Sequence, residues 1–400
     1  MRNDWKYEPL GEICELLNGF AFKSSLYVNE GIRVIRIANV QKGYIEDSTP
    51  AFYPFSYEKD LSRYMLQEGD LLMSLTGNVG RVGILQKELL PAALNQRVAC
   101  IRLRRTDILL KYLFHYFNSN FFEAQCISSS HGAAQLNMST VWLAKHLVPV
   151  PPLSEQERIV ALLDAEFEKI DAIKANAVSQ LQAAKDLFQA ALKDNLTPKE
   201  GWEDYTINDV ISDLRTGLNP RVHFKLNTPD ADCYYITVRE LKGFSIEIDE
   251  KTDLVNKDAI VRINQRSHLQ IGDVLFSATG TIGNTALIKE IPQNWNIKEG
   301  IYVMTPHKEM LDSKYFIYLL SSDYFLKSVR AKAEGTGVKS IAMKNLIKLP
   351  VSLPSLPEQE RIAARLDAIS EKVKALQANY DNTITLCNDL KQSLLKSIFA

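Results

Sequence analysis

Leu153-Ser154-Glu155-Gln156-Glu157-Arg158-Ile159 returns 203 residues further along as Leu356-Pro357-Glu358-Gln359-Glu360-Arg361-Ile362. The same offset carries Gly69-Asp70-Leu71-Leu72-Met73-Ser74-Leu75-Thr76-Gly77 onto Gly272-Asp273-Val274-Leu275-Phe276-Ser277-Ala278-Thr279-Gly280, and Lys111-Tyr112 onto Lys314-Tyr315. Trp5 and Trp202 open the two copies, and Ile37 to Val40 align with Val238 to Leu241 at nearly the same spacing. The chain is therefore a tandem duplication. Its period far exceeds the roughly 20 to 50 residues of a solenoid repeat, so each copy is large enough to hold its own core.

Each copy changes character along its length. Ile32 to Val40, Leu71 to Leu75, Val98 to Leu103, Tyr234 to Val238 and Val274 to Ala278 are β-branched and aromatic runs bounded by Gly, Asn and Asp, and read as strands. Tyr112 to Phe122 and Tyr315 to Val329 space their apolar residues by three and four, which predicts one amphipathic helix in each copy. The last quarter of each copy is rich in Ala, Leu, Glu and Lys. Pro151-Pro152 excludes helix upstream, Ser154 with Glu157 makes an S-x-x-E capping box, and Pro354, Ser355, Pro357 and Glu358 do the same in a shifted register. Leu163, Phe167, Ile170, Ala177, Leu181, Ala184, Phe188 and Ala191 then form a heptad-like stripe. Leu366, Ile369, Val373, Leu376, Tyr380, Leu390 and Leu394 form a second. Each stripe runs over about 40 residues, roughly 60 Å of helix.

The expected class is α+β, a tandem duplication of an α/β domain followed by a long helix. The boundaries are 1–150 and 201–352 for the globular parts, and 151–200 and 353–400 for the helices. A lone stripe of this kind is satisfied by packing on its own domain. Two matching helices in one chain pack most simply on each other, as an antiparallel coiled coil with the globular parts at opposite ends.

Composition excludes several classes. The chain is 46% hydrophobic and 24% charged, too apolar for intrinsic disorder. No apolar run approaches the roughly 18 residues of a membrane span, and Met1-Arg2-Asn3-Asp4-Trp5-Lys6 lacks a signal-peptide core, so a cytoplasmic location is expected. Cys14, Cys100, Cys126, Cys233 and Cys387 are odd in number and never spaced C-x-x-C, which disfavours both a disulfide framework and a structural zinc site. A net charge of -1 does not announce a nucleic-acid partner. Averaging hides some unevenness: residues 1–150 hold 16 Lys/Arg against 14 Asp/Glu, residues 151–200 hold 6 against 9, and residues 201–352 hold 19 of each.

The Pro-rich entry followed by L-x-E-Q-E-R-I, twice in one chain and each time leading into a long helix, resembles the conserved regions of type I restriction-modification specificity subunits. The Gly-Asp-Leu-Leu and Thr-Gly-x-x-Gly pieces resemble their target recognition domains, and the likeness covers the whole chain. The resemblance implies a non-catalytic DNA-recognition subunit serving host defence. Each target recognition domain would read one half of a bipartite double-stranded DNA target, and the coiled coil would fix the gap between the halves. Two modification subunits carrying S-adenosylmethionine would methylate adenine, and restriction subunits would use ATP and Mg²⁺ to translocate and cut. No cofactor is expected in this chain. Two heads on a rod can engage one duplex only if their separation suits its repeat of about 34 Å per turn, and the second head then binds at high effective concentration.

Three paired loops supply DNA-contact candidates. Arg36, Asn39, Gln41 and Lys42 sit where a strand becomes a turn, mixing bidentate donors for guanine or adenine with a phosphate contact, and Arg239 and Lys242 occupy the matching turn. The same residues equally suit an ordinary solvated turn. Thr76-Gly77-Asn78-Val79-Gly80-Arg81 and Thr279-Gly280-Thr281-Ile282-Gly283-Asn284 are Gly-spaced turns whose amides either approach phosphate or close a hairpin. Their frame repeats while Asn78 and Arg81 change to Thr281 and Asn284. The third pair is His131-Gly132-Ala133-Ala134-Gln135 and Gly335-Thr336-Gly337-Val338-Lys339-Ser340, with Lys339, Ser340 and the nearby Lys344 as phosphate candidates. By resemblance, Glu155, Gln156, Arg158, Glu358, Gln359 and Arg361 are candidates for gripping the modification subunits, with capping and internal packing as the alternative.

Catalytic patterns are weak. Asn219-Pro220-Arg221 does not match the N-P-P-Y tetrapeptide of adenine methyltransferases, and Gly335 to Ser340 lacks P-loop spacing. Pro229-Asp230 with Asp249-Glu250-Lys251 loosely fits a metal-dependent nuclease pattern that occurs often by chance. His115, His131, His146, His223, His268 and His307 are dispersed without metal-ligand spacing. Two alternatives stay open: a specificity chain serving a fused restriction-methylation enzyme, and a duplicated coiled-coil scaffold that reads no DNA.

Overall fold

The computed structural model describes residues 5–132, 135–335 and 337–400. Met1 to Asp4 of the N-terminal reading, and Ala133, Ala134 and Thr336 of the third paired loop, lie outside the described residues. The chain divides into two compact units, one of residues 1–178 with 381–400 and the other of residues 179–380.

In the first unit an antiparallel sheet runs in the spatial order Cys14–Asn18, Val98–Leu103, Leu71–Ser74, Val82–Ile84. A smaller mixed sheet orders Phe52–Tyr53, Ile32–Ile35 and Ala92–Leu94, the last pair parallel. Lys6–Pro9 pairs with Leu147–Val150 and closes the head at its base. Leu71–Ser74 is buried throughout because both of its faces are covered. Leu71 and Met73 pack with the helices, while Leu72 packs with Ile35 and Leu94 of the small sheet.

The second unit repeats this plan with Ile211–Thr216, Ile301–Pro306, Val274–Ser277 and Thr285–Leu287 in its main sheet. Leu254–Val255, Cys233–Ile236 and Trp295–Ile297 form the small one, and Glu203–Thr206 pairs with Pro350–Leu353. Val274 and Phe276 face the helices, and Leu275 faces Ile236 and Ile297.

The single helix expected in each head is two helices. Leu110–Phe117 gives way to Asn120–Ser129, and Ser313–Ser321 to Asp323–Lys332. The break has a cause in the sequence. The hydroxyls of Ser119 and Ser322 accept from the amides of Phe122 and Phe325 at 3.2 Å, capping a new helix where the first ends.

The long helices are Leu153–Leu196 and Leu356–Phe399, each of 44 residues. The first begins two residues earlier than the capping box requires. Ser154 therefore lies inside the first turn, and the Pro152 carbonyl accepts from the amides of Glu155 and Gln156. The Ser355 carbonyl does the same for Glu358 and Gln359. The two helices pack antiparallel within each unit. In the first unit Lys391 binds Asp171 at 2.6 Å and Lys174 donates to Asn388. In the second, Tyr380 donates to Gln180 at 2.8 Å. Their stripes complete the two cores. Ile159 and Leu163 join Leu395, Ile398 and Phe399, while Phe188, Leu192 and Leu196 join Ile362, Ala363 and Leu366. Among the described residues no helix is long and apolar enough to cross a membrane.

The first head carries an acid-sensitive element. His146 is buried against Phe122 and Trp142, and its Nε2 shares a 2.9 Å hydrogen bond with the Tyr116 hydroxyl. Burial pulls its pKa from 6.5 down to about 4. Between those values the unfolded chain binds the proton and the folded chain does not, so stability is complete above 6.5 and falls as pH drops toward 4. The expected loss across that window is about 3 kcal/mol. His115, whose pKa burial also lowers, acts in the same direction. In urea denaturation at pH 7 and pH 4.5, His146→Gln should flatten part of this dependence; an unchanged acid loss in the variant would remove His146 as its source.

Candidate nucleic-acid interface

The repeated Gly-Asp-x-Leu stretch builds the foundation of each head. Gly69 and Gly272 take positive φ values of 84° and 92°, turning the chain into the central strand and aiming the next side chain inward. Asp70 accepts from the Gln67 amide and from Arg102 at 2.7 and 2.6 Å. Asp273 accepts from the Gln270 amide, from Arg215 at 2.8 Å and from the Thr305 hydroxyl at 2.6 Å. The carboxylate is kept, but its arginine comes from a different strand in each head.

The strand then enters the Thr-Gly-x-x-Gly loop, which closes a hairpin. The Gly77 and Gly80 amides donate to the carbonyls of Leu136 and Ser74, and those of Gly280 and Gly283 to Lys339 and Ser277. These four N–H groups are therefore engaged inside the head and do not form a phosphate cradle. The second glycine of each loop has a packing reason as well: a Cβ on Gly80 would lie 2.8 Å from Cys126 Sγ, and one on Gly283 2.7 Å from Leu326.

The fold gathers the three paired loops into one surface in each head. Thr76 bridges to Asn137 and Thr279 to Ser340, fastening the Gly-spaced loop to the third loop. On its other side Arg81 Nη1 donates to Gln41 Oε1 at 3.1 Å. In the second head Asn284 Nδ2 donates to the Leu241 carbonyl at 3.1 Å. Residues separated by 40 and 43 positions in sequence thus meet across the same gap.

Within this surface the candidates separate by accessibility. Lys42, Asn78, Arg239, Lys242, Thr279, Thr281, Lys339 and Lys344 are exposed, and Arg36, Gln41, Arg81 and Ser340 are half-buried at its edge. Arg36 and Arg239 both brace the loop that follows their turn, donating to the carbonyls of Thr49 and Lys251. Arg239 also binds the buried Glu240. Burial alone would raise that carboxyl's pKa, but the bonds from Arg239 and Thr237 outweigh it and hold it below the usual range. Lys42 is bound to Glu123 and Asn120 at 2.5 Å.

Other candidates turn inward. Asn39 is 2% exposed; its Oδ1 accepts from the Arg36 amide and its Nδ2 donates to the Glu46 carbonyl and to Asp47, leaving no polar edge for a base. Thr76 is buried and donates to Asn137. Asn284 is half-buried with its amide engaged as above.

Several elements escaped the sequence reading, one of them a surface helix. Lys257–Ser267 is a helix with Ala259, Ile263 and Ser267 buried at fourfold spacing, and its exposed face carries Val261, Arg262, Gln265 and Arg266. That spacing was the available signal.

At each helix entry the glutamine of E-Q-E-R is internal. Gln156 Oε1 accepts from the Leu109 amide, and its Nε2 donates to the carbonyls of Asp107 and Pro151. Gln359 repeats all three bonds with Asp312, Met310 and Pro354. Neither side chain reaches the surface. Arg158 and Arg361 do, each held bidentate by the glutamate three residues earlier, Glu155 and Glu358.

A family model of the type I restriction modification DNA specificity domain matches residues 2–183 and again residues 199–386. The chain belongs to this family. It is a type I specificity subunit, a non-catalytic, sequence-specific DNA-recognition component through which partner subunits are directed to methylate and restrict. The EcoBI specificity subunit of Escherichia coli is 24% identical over 100% of this chain and 86% of its own length. The EcoKI specificity subunit of Escherichia coli K12 is 22% identical over 99% and 88%. Among solved structures, a chain of a type I R-M system shares the fold at a TM-score of 0.72 and 20% identity, covering 100% of this chain and 98% of that one. The HsdS subunit from Thermoanaerobacter tengcongensis aligns at a TM-score of 0.50 and 21% identity over 100% and 97%. Among the described residues of this specificity subunit no cluster of three metal-ligating side chains occurs, and the nuclease pattern of Asp230 and Asp249 to Lys251 builds no such group.

Proposed function

We propose that each head reads one half of a bipartite DNA target through its three-loop surface, and that the paired helices set the unspecified gap. The observation that carries this is the joining, in both heads, of three loops that are far apart in sequence. Their fastenings repeat while their outward side chains differ. Asn78 and Arg81 stand where the second head has Thr281 and Asn284. Exposed Arg239, Lys242, Thr279, Thr281, Lys339 and Lys344 serve the second half-site; Arg36, Gln41, Lys42, Asn78 and Arg81 serve the first. Lys42 first has to leave Glu123, so its contribution to phosphate binding is smaller and salt-dependent.

In this reading two adenine methyltransferase subunits bring S-adenosylmethionine, and restriction subunits bring ATP and Mg²⁺. Arg158 and Arg361, with Glu155 and Glu358, present the outward polar pairs for gripping the modification subunits, while Gln156 and Gln359 act from within. The working map remains 1–150, 151–200, 201–352 and 353–400, and action on cellular DNA places the chain in the cytoplasm. Methylome sequencing of a host expressing this chain with its methyltransferase, against a strain lacking only this chain, tests the proposal. A split adenine-methylated motif with a fixed gap is expected only when the chain is present. Unchanged methylation in a strain where the partner is assembled would reject it.

A further inference from the structure

In the second head Leu241–Lys242 pairs with Ser245–Ile246, and the two residues between them, Gly243 and Phe244, have φ values of 52° and 67°. Positive φ at both positions is the type I′ arrangement that suits the twist of a two-residue hairpin. Gly takes it freely; a Cβ at 243 would lie 3.1 Å from Lys374 Cε, a contact that the flexible lysine side chain can relieve, so the backbone angle is what favours Gly there. For a bulky aromatic residue the same backbone is an outlier, held only where surrounding contacts over-determine it.

Those contacts are specific. The Phe244 ring lies 4.7 Å from that of Tyr318 and 5.9 Å from that of Phe188, edge to face in both cases. Phe188 belongs to the first long helix, and the Tyr318 hydroxyl donates at 2.6 Å to Asp367 on the second. Beside this seat is a cleft of about 420 Å³ lined by Phe244, Lys289, Tyr318, Asp367 and Lys374. The hairpin thus reaches the helices chiefly through one ring. It carries Lys242 just before the turn, and its Leu241 carbonyl receives Asn284 of the Gly-spaced loop.

The first head fixes the corresponding hairpin differently. There Val40 bridges to Ile45, Tyr44 is 52% exposed, and Lys42 holds Asn120 and Glu123 on the head's own helix. At the repeat offset those two positions are Asp323 and Leu326, and the leucine offers no acceptor.

We infer that Phe244 is a positioning residue for DNA reading by the second head. Seated on Phe188 and Tyr318, it registers the hairpin bearing Lys242, the adjoining Arg239 turn and the Asn284 loop to the long helices. The inference rests on the proposed reading of this hairpin as DNA-facing, and the experiment separates the two. Phe244→Gly, Phe244→Tyr, Arg239→Ala and Lys242→Ala are made in the full chain assembled with its methyltransferase. Methylation is then measured on duplexes substituted singly in either half-site, alongside the melting temperature. Phe244→Gly, whose turn is relaxed, should keep its melting temperature and its first-half discrimination, yet lose about tenfold in rate and relax discrimination in the second half; Phe244→Tyr should restore both.

Wild-type second-half discrimination in Phe244→Gly, with altered discrimination in Arg239→Ala or Lys242→Ala, overturns the inference and leaves the DNA-facing reading intact. Wild-type behaviour in all four variants overturns both. A lowered melting temperature with loss at both half-sites also overturns it, because Phe244 would then be holding the core rather than the hairpin.

Discussion

Asp273→Ala is expected to destabilise the second unit by roughly 3 kcal/mol, the lower end of the cost of breaking a buried ion pair, because Arg215 keeps a weaker, exposed partner in Asp213. The carboxylate is fully buried and the Arg215 side chain is 8% exposed. Removing Asp273 leaves the guanidinium with the exposed Asp213 carboxylate, 3.1 Å from its Nε, and the His268 carbonyl, and leaves the Gln270 amide and the Thr305 hydroxyl without their acceptor. For a unit of this size the melting temperature should fall by roughly 10 °C. The equivalent Asp70→Ala should cost less, because the Arg102 side chain is 27% exposed and water can solvate it after the change. Replacing Arg215 and Asp273 together by Met and Leu should recover most of the loss, since a well-packed apolar pair is near neutral relative to a buried ion pair. Calorimetry of the three variants checks the order. Equal losses for Asp70→Ala and Asp273→Ala would show that burial does not set the cost.

The Gly-Asp-x-Leu repeat was legible as a repeat but not as an ion pair. The reason is that Arg102 lies 32 residues after its aspartate and Arg215 58 residues before. A charge partner that changes strand between copies leaves no fixed spacing to read. The duplication, the main strands and the antiparallel helices were legible because local periodicity and the 203-residue offset reinforce one another. The split at Ser119 and Ser322 was readable in principle, as a serine three residues before a buried phenylalanine in both copies. Amphipathic spacing on either side masked it. Asn39 looked like a base-reading amide because a sequence does not reveal that a short 3-10 turn folds its side chain inward. The meeting of Arg81 with Gln41 depends on sheet order and was not readable from spacing. Nor was the left-handed Phe244, which nothing local favours.

For Gln156 and Gln359 the sequence left two readings open, a grip on the modification subunits and internal packing, yet the phase of the helix was already informative. Gln156 stands three residues before Ile159 and seven before Leu163, on the buried stripe, and Gln359 stands the same way before Ile362 and Leu366. Gln359→Leu keeps the volume but leaves the Asp312 amide and the carbonyls of Met310 and Pro354 without their partner. At about 1–3 kcal/mol for each unsatisfied buried group, relaxation included, the expected loss is roughly 3–6 kcal/mol. Gln359→Glu is the sharper test. Its ionised carboxylate would face two carbonyl oxygens, so it should be at least as unstable as the leucine variant at pH 7. Lowering the pH should restore part of that loss, because protonation returns one donor. Hydrogen exchange at Asp312, whose amide should lose protection in the leucine variant, localises the effect to the joint between head and helix. A leucine variant with wild-type stability and unchanged exchange there would mean that the glutamine is not what fastens the long helix to its head.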